Sequence, residues 1–130
     1  IFAKKIMVAI KHLKEGRLVM IDNEPCKVVS IATSKSGKHG SAKTRIEAIG
    51  LFDGKKRSVV KPADSEVEIP VILKKKAQVV SIQGNVAQLM DLETYETFDL
   101  EITEEVKDKI KEGEEVIYWE IAGKRTFPLY

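Results

Sequence analysis

The sequence predicts an all-β fold arranged as two small barrels in series, and three observations carry that expectation. Its apolar runs are short, alternate with polar residues as half-buried strands do, and are broken repeatedly by Pro, Gly, Asn and Asp. Only one stretch, in the second half, has helical spacing. Charge also divides along the chain: residues 1–69 carry 14 Lys+Arg against 8 Asp+Glu, a balance of +6, and residues 70–130 carry 8 against 12, a balance of −4. With 130 residues, 43% of them hydrophobic, the chain can bury one ordinary core or two small ones.

Each element has its own justification. Residues 17–21 (RLVMI) and 26–33 (CKVVSIAT) read as strands joined by Asp22-Asn23-Glu24-Pro25, residue types that favour a turn. A polar stretch, SKSGKHGSAK, follows at 34–43. Residues 44–52 (TRIEAIGLF) form the next strand, with Arg45 and Glu47 on the face opposite Ile46 and Ala48. Asp53-Gly54 is a hairpin signal, residues 57–60 continue as a strand, and Pro62 ends it. Composition shifts over 63–70 (ADSEVEIP), which places a short linker near Ile69-Pro70 and makes Lys74-Lys75-Lys76 a solvated connection.

Beyond the linker, strands at 77–82 (AQVVSI) and 86–90 (VAQLM) flank the turn Gln83-Gly84-Asn85, and 97–102 (TFDLEI) alternates again. Residues 103–112 (TEEVKDKIKE) predict a short amphipathic helix, with Thr103 as N-cap and acids in the first turn. Val106 and Ile110 stand one turn apart, and Gly113 is the stop. Residues 115–121 and 125–129 close the chain as strands, with Trp119 facing a core.

Short strands with tight turns are best served by closure, which removes exposed sheet edges. A helix after the third strand gives the second half the order of an OB-fold. The first half, without a helix, reads as an SH3-like barrel. The expected units are residues 1–69 for the SH3-like barrel and 70–130 for the OB-fold barrel with its one short helix.

Composition excludes several classes of function. No apolar run has the length of a membrane span, and the lysine-broken opening IFAKKIMVAIKHLK is not a secretory signal. The single Cys26 excludes an internal disulfide and fits a reducing compartment, so a soluble, cytoplasmic protein is expected. One Cys and two distant histidines, His12 and His39, do not make a zinc tetrad. No metal site or catalytic residue is therefore expected.

The segment 34–43 is the candidate site. Between Glu24 and Glu47 lie 22 residues without a carboxylate, where about three would fall by chance, so a local positive field is built there. Lys27, Lys35, Lys38, Lys43 and Arg45 lie within it. A phosphate-cradling P-loop is excluded: His39 stands where Ser or Thr is needed, Ala32 stands at the first glycine, and a strand follows in place of a helix. His39 beside Ser41 lacks the buried carboxylate that a nucleophilic triad requires. A solvated hairpin tip explains the Lys and Ser, but not Gly37 and Gly40 around Lys38-His39. Glycines there suit a backbone that takes positive φ or must be approached closely, as when a lysine enters a narrow site.

SKSGKHGSAK, with IDNEPCKVV before it and LFDGKK after it, closely resembles the archaeal and eukaryotic translation factor 5A family, relatives of bacterial elongation factor P. The resemblance continues through AQVVSI, VAQLMDLETYET and EGEEVIYWE. It implies that Lys38 is converted to hypusine or deoxyhypusine, and that Gly37, His39 and Gly40 admit it to the modifying enzyme, deoxyhypusine synthase. It makes Lys35, Lys43 and Arg45 contacts to RNA phosphates, and the ribosome, peptidyl-tRNA and rRNA the partners. No cofactor is implied beyond the covalent aminobutyl group drawn from spermidine. The protein would be a monomeric translation factor and no enzyme. The alternative reading is a general single-stranded RNA-binding protein of two barrels.

Overall fold

The computed structural model describes residues 5–35 and 42–129. The chain divides into two compact units, Ile1–Val71 and Ile72–Tyr130, where the sequence suggested a joint near Ile69-Pro70.

In the first unit, β2 (Leu18–Ile21), β3 (Glu24–Lys35), β4 (Ala42–Gly50) and β5 (Lys56–Pro62) form an antiparallel sheet in chain order. Ile21 pairs with Glu24, so Asp22 and Asn23 are a two-residue turn with φ of 53° and 62°, a conformation that Asn and Asp tolerate. β1 (Ile6–Ala9) and β6 (Glu66–Ile69) make a separate ribbon, with Val8 opposite Val67. The stretch 63–70, where the composition shifts toward the linker expected near Ile69-Pro70, thus contains a strand up to Ile69: Val67 points inward and is 2% exposed, while Glu66 and Glu68 face outward. Ile10, Leu13, Val19, Ile21, Cys26, Val28, Ile46, Ala48 and Val67 form this unit's core. Cys26 behaves as a small core hydrophobe, and burial pushes its thiol up.

The second unit is a five-stranded sheet in the order β11-β10-β7-β8-β9. Its strands are β7 (Ile72–Gln83), β8 (Val86–Asp91), β9 (Thr97–Glu101), β10 (Glu115–Ile121) and β11 (Lys124–Thr126). The edge strands β11 and β9 touch, curling the sheet toward a barrel. β7 starts earlier than the sequence suggested. Its lysines are strand residues: Lys75 Nζ meets Glu120 Oε2 at 2.8 Å, and Lys74 Nζ lies 5.1 Å above the buried Trp119 ring.

The expected helix at 103–112 is corrected. Among the described residues the only helix is a 3-10 turn at Ile10–His12. The segment 103–112 is instead a run of turns, with Val106 N–H donating to Thr103 C=O at 3.2 Å and Lys109 N–H to Val106 C=O at 2.9 Å. Ten residues are too few for an independent helix, and both flanks are pinned. Ile102 N–H donates to Asn85 C=O at 2.8 Å and Gly113 N–H to Val79 C=O at 2.7 Å. Three-residue turns rise further per residue and span that gap. The predicted cap bond is not made, since Thr103 Oγ1 is buried without a partner. The apolar face was read correctly: Val106 and Ile110 pack against the core of Ala77, Val79, Ala87, Leu89, Leu100, Tyr118 and Phe127.

Candidate functional site

The positive segment sits on the hairpin of β3 and β4. The ladder runs outward from Cys26↔Gly50 to Lys35↔Ala42, with one bulge between Val28 and Ser30. Lys38, with Gly37, His39 and Gly40, lies outside the described residues, in the segment that joins the two arms.

Side chains alternate across the ladder, which sorts the arm into two faces. One face carries Val28, Ile31, Ile46 and Ala48 into the core, and then Thr33 and Thr44. The apolar filling stops at Ile31↔Ile46. One rung further, Thr33 Oγ1 and Thr44 Oγ1 share a hydrogen bond of 3.0 Å. Thr44 is 2% exposed, so this bond satisfies a hydroxyl that water scarcely reaches.

The outer face carries Ser30 opposite Glu47, Ala32 opposite Arg45, and Ser34 opposite Lys43. Here Glu47 accepts from Ser30 Oγ at 3.1 Å and from Arg45 Nε at 3.1 Å. The Ser30 hydroxyl, followed by the Arg45 guanidinium, holds the Glu47 carboxyl below its ordinary range. On β5, Val60 lies beside Arg45 and Lys56 beside Ile49, extending a mixed cationic and apolar surface.

The three expected phosphate contacts are thus not equivalent. Lys43 and Arg45 share the outer face, both exposed, but Arg45 already has a carboxylate partner. Lys35 is exposed at the last described rung, on the opposite face by register. Sequence reasoning missed the Thr33–Thr44 bond and the Ser30–Glu47–Arg45 cluster. The i,i+2 spacing of Arg45 and Glu47 was the available signal. The bulge, which sets which residue of β3 meets Glu47, left none.

The second unit presents a different surface. The outward positions of β8 and β9 include Gln88 and the carboxylates Asp99 and Glu101, and the two acids repel phosphate. Its aromatic rings are spent inside: Tyr118, Trp119 and Phe127 are buried, and the Arg125 guanidinium covers Phe98 at 4.2 Å. Tyr95 is exposed. Among the described residues no group of three or more His, Cys, Asp or Glu could hold a metal ion, and no helix is long and apolar enough to cross a membrane.

Comparison with known proteins finds two family models. Residues 4–65 match the translation initiation factor 5A-like N-terminal domain, and residues 71–127 match a domain described as eukaryotic elongation factor 5A hypusine, DNA-binding OB fold. The chain is 57% identical over 121 residues to translation initiation factor 5A of Archaeoglobus fulgidus, covering 93% of this chain and 94% of the relative. It is 53% identical over 124 residues to that of Pyrococcus furiosus, covering 92% and 90%. A solved structure of eukaryotic translation initiation factor 5A from Methanococcus jannaschii is similar at a TM-score of 0.78 and 44% identity, covering 95% of this chain and 92% of that one.

Proposed function

The chain belongs to the translation initiation factor 5A family, and from that premise we propose that it works at the ribosome beside peptidyl-tRNA. There it promotes peptide bond formation, notably at proline-rich stretches, through an aminobutyl-extended Lys38. The chain is a translation factor of nearly all-β build, with a 5A-type N-terminal domain and an OB-fold C-terminal domain. The finer reading places it in the cytoplasm, in contact with tRNA and rRNA, as an accessory to the ribosome's own catalysis.

One observation carries this reading. The β3–β4 ladder continues four residue pairs past its last apolar pair, Ile31↔Ile46, and ends at Lys35↔Ala42, directly flanking the six residues that contain Gly-Lys-His-Gly. An arm that leaves its core behind suits a group that must reach into a neighbouring molecule. In the modification, the Lys38 Nζ forms a bond to the aminobutyl carbon of spermidine. That carbon's bond to the remaining three-carbon diamine breaks, and the proton lost from Nζ goes to the departing amine. The net transfer needs no oxidant. The product is a longer cation with a second protonatable nitrogen.

Such a cation would act by position. Peptide bond formation requires amine and ester in near-attack geometry, and small misplacements cost rate steeply. Proline's ring restricts the chain. A braced cation beside the tRNA end would restore alignment without serving as acid or base. Lys43 and Lys35 would hold the backbone phosphates, so affinity should fall with salt.

The general single-stranded RNA-binding alternative draws less support, because β8 and β9 of the OB-fold unit present Asp99 and Glu101 outward and Tyr118, Trp119 and Phe127 are buried, which leaves Tyr95 as its one well-exposed ring among the described residues. Intact-mass measurement of protein from its native cell separates the two. An aminobutyl-type adduct at Lys38 is expected, and a bare Lys38 favours the alternative. Lys38→Arg keeps the charge and blocks the transfer. It is expected to fold normally and to lose activity on proline-rich messages, and normal translation of proline runs by this variant overturns the mechanism.

A further inference from the structure

The two strands of the arm are not supported alike. β4 is gripped on both sides to its first residues: Lys43 pairs with Pro62, Thr44 with Lys61, and Ala63 N–H donates to Ala42 C=O at 2.9 Å. β3 is not. Its pairing with β2 covers only Glu24 to Lys27, and Gly16 N–H donating to Val28 C=O at 2.8 Å closes that side. From Ser30 to Lys35, β3 has no second strand neighbour among the described residues, and β4 alone sets its course.

Apart from the backbone ladder and one apolar rung, what ties β3 to β4 over that span is polar. The last apolar rung is Ile31↔Ile46. On one face the Thr33 and Thr44 hydroxyls bond at 3.0 Å. On the other, Glu47 accepts from Ser30 and Arg45 at 3.1 Å each. The two ties grip β3 from opposite faces, one on each side of the Ile31 rung. The bulge between Val28 and Ser30 bends and twists β3 at the foot of the same span. A bulged strand held from one side swings readily, and ties on both faces remove that freedom.

We propose that Thr33, Thr44, Ser30 and Glu47 are positioning residues that fix the direction of the arm and thereby set how efficiently Lys38 is presented to the aminobutyl-transferring enzyme. This rests on the reading that Lys38 is the modified residue. The physical need is the one that governs any bimolecular transfer, since an amine offered at the wrong angle binds but does not react. Arg45 belongs to this clamp through Glu47 and is thereby a poorer phosphate contact than Lys43.

The test uses the full chain carrying a bare lysine, incubated with deoxyhypusine synthase and spermidine, with aminobutyl incorporation followed by intact mass. Thr33→Val and Glu47→Ala are expected to lower kcat/KM about fivefold each, the factor that one net hydrogen bond represents. The loss should fall on kcat rather than KM and Thr33→Ser should restore the rate. Thr33→Val leaves the buried Thr44 hydroxyl without its partner and should lower the melting temperature by a few degrees, so rates are compared well below it. Thr33 and Glu47 are chosen because neither is buried, so both variants should fold. Modification of both variants at the wild-type kcat/KM overturns the clamp alone. A wild-type chain that gains no mass at Lys38 overturns the modification reading and the clamp's role with it.

Discussion

Two of the molecule's hairpins, β3–β4 and β8–β9, are held by polar groups in different ways among the described residues. The β8–β9 connection is folded onto a single buried carboxylate. Asp91 accepts the N–H of Glu93 at 2.7 Å and of Thr94 at 2.9 Å on one oxygen, and the Tyr118 hydroxyl at 2.5 Å on the other. Its own N–H and C=O bond to Glu96 and Tyr95. Among the described residues the β3–β4 arm shows no such anchor: its side-chain ties are the Thr33–Thr44 bond beyond the last apolar rung and the Ser30–Glu47–Arg45 cluster before it, and of these residues only Thr44 is buried. A loop fixed from within is a structural closure. A pair of strands that runs on past its apolar core with polar side-chain ties suits an arm that meets something else.

Asp91→Ala should break this contrast most severely. It orphans the buried Tyr118 hydroxyl and two backbone N–H groups, and a loss of about 3 kcal/mol or more is expected in urea unfolding followed by Trp119 fluorescence. A variant as stable as wild type would mean that the buried carboxylate is not the anchor. Acid titration sharpens the point. The Tyr118 hydroxyl, followed by the Thr94 N–H, lowers the Asp91 carboxyl to about 2, while burial pushes the Tyr118 hydroxyl up. The folded value lies below the ordinary carboxylate value of about 3.9. The stabilisation is therefore complete above about pH 4 and is lost as pH falls toward 2. Asp91→Asn should flatten that acid limb.

Little of this contrast was legible in the sequence. Strand existence was, because alternation in RLVMI, TRIEAIGLF and VAQLM reflects burial on one face, and burial is what those residues do in any sheet. Val67 belonged to the same signal but was hidden between two glutamates and a proline. The helix at 103–112 was misread because its apolar spacing of four suits a helix and a run of turns alike, and the choice was made by Asn85 and Val79 on other strands. At the candidate site, the positive window and the Gly-Lys-His-Gly tip were visible as composition. The clamp was not, since Thr33 and Thr44 meet only once register is set.

Gly50→Ala should have an intermediate effect, at the proximal end of β4. A Cβ there would lie 1.8 Å from Asp53 Oδ1 and 2.6 Å from Arg57 Nη1, so the bidentate Arg57–Asp53 pair at 3.1 and 2.8 Å must open. The Arg57 hydrogen bonds hold the Asp53 carboxyl well below the usual range. Because the clashing atoms end side chains that can move, a cost of about 1–3 kcal/mol is expected, in the range of overpacking. Asp53→Ala in the Gly50→Ala background should recover part of it. Full additivity of the two would show that the ion pair is not what the added methyl displaces.

The smallest effects fall on the outer face of the arm, and they separate two cations that sequence alone treats as equals. Arg45 and Lys43 are both exposed, so replacing either with Ala should change stability by less than about 0.5 kcal/mol. Their effects on RNA binding should differ. Lys43 is offered to phosphate without an acid on its own rung, whereas Arg45 spends part of its charge on Glu47. A full phosphate contact contributes about 0.7–0.9 to the slope of log affinity against log salt. Lys43→Ala should reduce the slope by about that much, and Arg45→Ala by distinctly less. Glu47→Ala should raise the contribution of Arg45 toward that of Lys43. Equal slopes for the two single variants would mean that Glu47 releases Arg45 when RNA arrives, and the arm would then be an RNA surface along its whole outer face.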